Sequence, residues 1–240
     1  MKKLFKTTSV MSLATVAGII TGFFRAKITA LLLGPSGVGI FSQAMTFAQS
    51  AETVCGLGIG LGVTKYSAEQ WKNKQLDRIK GLILSSFLMQ FISFAVLFLA
   101  AAIFSEKISI FLFSSGDYAG LMPVLMIAVL FSVFVITMEA VLIGIERSSI
   151  FARARVIYYS VGVLLLFFMV KMFGLLGAFA YILINAFMTF FIVWRMLGKE
   201  TGVSFKDVVD SFRAGAKDRF FPDIKNLFSY GTVTLATSAV

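Results

Sequence analysis

Apolar positions along this chain neither alternate nor keep to a single helical stripe; they come in long runs. Six runs are long enough to cross a hydrocarbon core about 30 Å thick, which takes about 20 helical residues. They cover residues 8–33, 38–64, 81–104, 119–145, 150–170 and 172–194, and a seventh begins near Ile224. The pattern predicts an all-α polytopic membrane protein with six transmembrane helices plus the start of a seventh. The predicted organisation is a six-helix lobe over 1–198, a linker over 199–223 and the start of a truncated seventh helix over 224–240. The opening "MKKLFKTTSVMSLATVAGII" also has the basic-then-apolar order of a signal peptide. No small-x-small cleavage site precedes Phe23 and the apolar run continues to Gly34, so the segment reads as a retained span.

Charge orients the spans. Of 22 Lys and Arg, 18 fall at the N-terminus and in the alternate connections 65–80, 147–155 and 195–225. Lys107 and Lys171 occupy the other side, and Arg25 and Lys27 lie within the first run. Positive residues stay inside, so the N-terminus is cytoplasmic and "GPSG", "SEKISIFLFSSGDY" and a turn near 171–174 face out. The net charge of +10 therefore reports topology; no separate basic domain exists for a nucleic-acid partner.

Composition removes several chemistries. With no His, imidazole metal sites, Ser-His-Asp triads and His acid–base steps are excluded. Cys55 is the single cysteine and lies in an apolar stretch, a buried inert thiol with no internal disulfide partner. The outer connections are too short for a catalytic domain. In the linker, Phe205, Val208, Phe212, Ala216 and Phe220 recur at helical spacing with Lys206, Arg213 and Lys217 between them. That reads as an amphipathic helix on the inner leaflet, in contact with membrane lipids or serving only as a connection. Asp207, Asp210, Asp218 and Asp223 belong to the same surface, which weakens the case for a membrane glycosyltransferase, polymerase or ligase. "SLATVA" at 12–17 returns as "TLATSA" at 234–239, placing the seventh run in register with the first, as in transporters built from repeated bundles.

The intramembrane charges carry the functional reading. Thr15, Gly18, Gly22, Arg25 and Thr29 are spaced 3, 4, 3, 4 and share one small, polar helical face. An Arg near mid-membrane costs about 2.5–3.5 kcal/mol on insertion scales and needs water, a counter-ion or a substrate. Lys27 lies on a different face, where it either contacts substrate or snorkels to headgroups. The second run bears a similar stripe of Ser42, Thr46, Gln49, Glu52 or Thr53, Gly56 and Gly60, and Glu139 interrupts the fourth. Arg25, Lys27, Gln49 and Glu52 are the candidate substrate-binding residues, and Glu52 and Glu139 the candidates for proton or ion coupling. A static Arg25–Glu52 ion pair that only locks the bundle is the alternative. "GLGIGLG", 56–62, lies in an apolar helix with no strand before it, so it reads as packing or flexibility, not a phosphate loop.

"LLLGPSGVGIFSQ" (31–43) after an Arg-bearing first helix, "GLGIGLGVTKYSAE" (56–69) and "LFSSGDY" (112–118) together resemble the Wzx-type oligosaccharide flippases. These form part of the polysaccharide transporter branch of the multidrug/oligosaccharidyl-lipid/polysaccharide exporter superfamily. The closest likeness is to O-antigen and enterobacterial-common-antigen translocases. The resemblance implies one lobe of a two-lobe, V-shaped transporter around a cationic cavity, multi-pass in the bacterial inner membrane. It implies flipping of an undecaprenyl-diphosphate-linked oligosaccharide from inner to outer leaflet for surface polysaccharide synthesis, with no cofactor. The partners it implies are the lipid-linked substrate, membrane lipids, a polysaccharide polymerase and a chain-length regulator. Arg25 falls where lipid-carrier flippases place a cavity Arg. Family members have about twice the spans, so the chain reads as the N-terminal lobe of a longer protein. A lipid II flippase, a multidrug exporter, which Arg25 disfavours, and a non-transporting assembly protein are the competing functions.

Cysteines placed at Lys72 and Arg153 should resist an impermeant thiol reagent in intact cells, and one placed at Ser115 should react. Labelling at position 72 from outside would reverse the topology.

Overall fold

The 55 residues of α1, Lys2–Gly56, are helical except at Gly34, with φ 68° and ψ −178°. A straight helix would hold Arg25 and Glu52 about 40 Å apart. Yet both line one cavity of about 240 Å³, so the chain folds back at Gly34. Glycine takes a positive φ without a Cβ clash, and Pro35 starts the second arm, where its missing N–H is no loss. The same device divides α6, Ser148–Thr201, at Gly174 with φ 58° and ψ −133°. Arg155 and Thr189 would be about 50 Å apart on a straight helix, and they line that same cavity.

The computed structural model that shows this describes residues 2–204 and 206–207. Between the folded helices come α2 (Gly60–Lys72), α3 (Leu76–Ile103), α4 (Ser105–Phe113), a 3₁₀ turn at Ala119–Leu121 and α5 (Met122–Gly144), with no strand among the described residues. Among the described residues, four helices are long and apolar enough to cross a membrane. Two of them are folded back, which gives the six arms that the hydropathy pattern predicts.

The boundaries differ from the expectation in four places. The second run does not continue to Thr64: Leu57 (φ 51°) and Gly58 (φ 63°) break it, and α2 starts at Gly60. Of the two readings of "GLGIGLG", flexibility or packing, the break in the helix accords with the first. The outer "SEKISIFLF" folds as α4. Lys171 lies inside α6, three residues before its bend. At the other end, α6 runs to Thr201 rather than 194, so the linker helix cannot begin at 199. Gly202 (φ 66°) ends α6, and Val203 tucks into the core. The Ser204 N–H then donates to Asp207 Oδ2 at 2.8 Å, the signature of a new helix N-terminus. Phe205, the linker from 208 onward and the seventh run lie outside the described residues.

Apolar packing forms three clusters. One gathers Leu33, Ile40, Ala44, Met122, Val170, Leu175 and Ala178, placing both bends at the same end of the bundle. A second occupies the opposite end, around Ile59, Ile79, Met138, Ile145, Phe151 and Leu197. The third joins Ala48 and Cys55 to Phe94, Ala101 and Val133 of α3 and α5. Lipid is as apolar as Leu, so close packing and interhelical polar contacts, not water exclusion, must hold these arms together. Phe87 stacks on Phe134 at 4.4 Å between α3 and α5, and Phe190 packs on Phe131 at 5.4 Å. The Gln90 amide donates to Thr137 Oγ1 at 2.7 Å in the buried α3–α5 seam. At Gly144 the backbones nearly touch: an added Cβ would stand 2.6 Å from the Thr64 carbonyl oxygen and 2.8 Å from Ser67 Cβ of α2.

Gly144→Ala should therefore destabilise the protein by about 1–3 kcal/mol, as over-packing does. Gly81→Ala, whose Cβ would meet nothing within 4 Å, should be neutral or slightly stabilising. Thermal unfolding in detergent, read for both variants, checks the contrast.

Candidate functional site

Three helical faces with one spacing build the cavity. Met45, Ala48, Gln49 and Glu52 come from the second arm of α1. Ser132, Val135, Ile136 and Glu139 come from α5, and Ile182, Asn185, Ala186 and Thr189 from the second arm of α6. Each set is i, i+3, i+4, i+7, the stripe a single helix presents to a neighbour. Tyr181 extends the third stripe, and Arg25, Arg155 and Tyr158 enter from the first arms of α1 and α6. α3, whose charged residues Asp77, Arg78 and Lys80 all sit at its start, contributes nothing to the lining.

All three stripes run from the bend end of the bundle toward the far end, so Glu52, Glu139 and Thr189 share one depth. Arg155 is only seven residues into α6 and joins them there. Arg25, nine residues before the bend at Gly34, sits nearer the other end.

Arg25 is half-buried. Its guanidinium lies beside the Tyr181 hydroxyl and 6.0 Å from the centre of the Tyr159 ring. Gly18, two turns earlier on the same stripe, lets α1 meet that ring: its Cβ would stand 3.0 Å from Tyr159 Cε2. Thr29 spends its hydroxyl on the Arg25 carbonyl oxygen at 3.0 Å and is buried. The small-residue face is thus both a packing seam against α6 and the mount for Arg25.

Glu139 is met by Arg155, Nη2 to Oε2 at 3.4 Å, with the carboxylate side chain 14% exposed. Arg155 also lies over the Phe151 ring, 4.4 Å from its centre. Glu52 has Ser132 as its hydrogen-bonding neighbour. Among the described residues, no ion pair joins Arg25 to Glu52 within 4 Å. Two buried atoms on the lining have no partner, Arg155 Nε and Asn185 Oδ1. The Asn185 amide presses on Gly162, whose Cβ would come within 2.8 Å of Oδ1.

Of the residues expected from sequence, Arg25, Gln49, Glu52 and Glu139 all reach this cavity. Lys27 does not; it is exposed on another face of α1. The lining carries two guanidiniums and two carboxylates, so it is charge-balanced rather than the cationic surface the resemblance implies. Sequence reasoning missed Arg155, Tyr158, Tyr181 and Asn185. Charge counting places Arg155 among the cytoplasmic flanking charges, although it lies two turns inside α6. Asn185 is the only amide side chain in the run 172–194, a signal that was available.

Residues 4–240 match the family of polysaccharide biosynthesis proteins. The chain belongs to that family. Among curated proteins none matches significantly. Among solved structures, a MOP superfamily transporter from Pyrococcus furiosus superposes with a TM-score of 0.73 at 14% identity. The match covers 99% of this chain and 53% of that one, so this family member spans about half that transporter's length. The Pyrococcus protein is described by the reverse polarity of its binding pocket, taken to suggest a different function. The likeness gives this polysaccharide biosynthesis protein the fold of a MOP superfamily transporter, in a chain with several membrane-length helices.

In membranes, cysteines substituted at Gln49 or Asn185 should react with a small hydrophilic thiol reagent, while buried Cys55 stays silent. Absence of labelling at both positions would mean that water does not enter the cavity.

Proposed function

We propose that the protein is a Wzx-type flippase that moves an undecaprenyl-diphosphate-linked oligosaccharide across the bacterial inner membrane. The N-terminus is cytoplasmic, the substrate passes from inner to outer leaflet, and the step makes and breaks no covalent bond. The observation that carries the reading is Arg25. It is a guanidinium at membrane depth on a cavity wall, with tyrosines and no carboxylate within ion-pair distance among the described residues. Such a group is stable there only with water or an anion, and its planar fork matches phosphate oxygens. Membership of a polysaccharide biosynthesis family and a transporter fold support a lipid-linked saccharide as the cargo.

In this scheme Gln49 and Asn185 offer amides to the head of the substrate. Glu52 and Glu139 hold the cavity neutral when it is empty, and as the lining carboxylates they are the groups able to carry a coupling proton. Lys27, outside the cavity, anchors α1 at the outer headgroups. The linker helix lies on the inner leaflet, and a polymerase and chain-length regulator use the delivered substrate.

Reconstituted in vesicles with a fluorescent polyprenyl-diphosphate oligosaccharide, a full-length transporter containing this lobe should equilibrate the probe between leaflets, and this lobe alone should not. Arg25→Ala should reduce the rate by about tenfold or more and Arg25→Lys should retain part of it, because charge survives without the bidentate fork. Lys27→Ala should have little effect. Transport of organic cations instead of the probe, lost in Glu52→Gln and kept in Arg25→Ala, would overturn the flippase reading in favour of drug export.

A further inference from the structure

Two interhelical ion pairs near the far end of the bundle differ in a way that separates structure from binding. Arg147 Nε meets Glu200 Oε2 at 2.8 Å, a tight charge-assisted contact outside the cavity that ties the start of α6 to its end. Arg155 and Glu139, inside the cavity, make a single contact of 3.4 Å. That is long for a charge-assisted hydrogen bond, and it is not bidentate. The Arg155 Nε is buried without a hydrogen-bond partner, although the Tyr158 hydroxyl stands beside the guanidinium. A buried donor left unmade is unfavourable, and so marks where an acceptor is missing. The guanidinium is nonetheless held in place, over the face of Phe151.

We propose that Arg155 is a second anion-binding group of this cavity, restrained by Glu139 until a phosphoryl oxygen displaces that carboxylate. The inference deepens the flippase reading and rests on its diphosphate head group. A phosphoryl group accepts both the unused Nε–H and an Nη–H, completing the fork that Glu139 leaves half-engaged. Glu139 then acts as a resident competitor: it neutralises the empty site and makes an anion exchange with it rather than simply add.

The position of Arg155 gives the exchange a direction. It lies seven residues into α6, at the end of the cavity away from the bends, whereas Arg25 lies nearer the bends. Between them stand Tyr158, next to Arg155 in the lining, and Tyr159, its ring 4.8 Å from that of Tyr158 and 6.0 Å from Arg25. The two guanidiniums are thus stations at the two ends of a tyrosine pair. A diphosphate entering at the far end meets Arg155 first and Arg25 second.

The test measures binding of geranylgeranyl diphosphate to the protein in nanodiscs by calorimetry, with thermal stability read on the same samples. Arg155→Ala should weaken binding by about tenfold or more and Arg155→Lys by less. Glu139→Gln should tighten it several-fold, and should lose that effect when combined with Arg155→Ala. Where Arg155→Ala fails to insert, Glu139→Gln decides alone, because loss of a structural ion pair has no reason to raise affinity. Lower melting temperatures with unchanged affinity in Arg155→Lys and Glu139→Gln would overturn the inference. So would loss of binding in Arg25→Ala with none in Arg155→Ala, an outcome that leaves the flippase reading standing. No binding of the probe by the unmodified protein would overturn both.

Discussion

A charge at membrane depth is stable only where protein or water surrounds it, and here four charged side chains face one space. Arg25, Glu52, Glu139 and Arg155 come from residues far apart in sequence. No straight run of helix could bring them together. The fold-backs at Gly34 and Gly174 do, turning two helices of 55 and 54 residues into four arms that wall the cavity with α5. The rest of the architecture follows from this need. The long helix whose charges are confined to its first five residues, α3, stays behind the wall and packs through aromatic rings and the Gln90–Thr137 bond.

Close approach is obtained by removing side chains where the arms touch. Gly18 admits the Tyr159 ring, Gly162 the Asn185 amide and Gly144 the backbone of α2. Each contact serves a different end. The first places Arg25, the second places a buried carbonyl oxygen on the cavity wall, and the third joins α2 to α5 far from the bends. The stripe of small residues on α1 is therefore packing and function at once: the packing seam sets the height and direction of the guanidinium.

Much of this was legible in the sequence, and the limits have physical causes. Apolar runs of membrane length gave the spans, since the bilayer imposes one length on every arm. Helical spacing placed Arg25 on its small face, and spacing from Gln49 to Glu52 put both on one cavity wall. The break at Leu57–Ile59 was only half legible: the glycines marked possible flexibility, but Leu57, a non-glycine residue with positive φ, leaves no mark in hydropathy. The end of α6 was misjudged because polar residues continue a helix beyond the membrane as readily as they end it. Arg155 was hidden for a related reason: charge counting assigns any cation near a span's end to the cytoplasm, and only the packing of Phe151 and Glu139 around it reveals that it turns inward. The balance of the lining, two cations against two anions, needed the three-dimensional meeting of five arms.

The central claim is that this cavity receives the phosphorylated head of a lipid-linked saccharide. The most direct measurement is photo-crosslinking in membranes with a polyprenyl diphosphate bearing a photoreactive group beside the phosphates, followed by mass-spectrometric mapping of the adducts. The account predicts adducts on the lining, at Gln49, Tyr158, Tyr181 and Asn185, competed away by unlabelled diphosphate. Adducts confined to exposed positions outside the cavity such as Phe23, Leu31 and Phe111, with none on the lining, would contradict it.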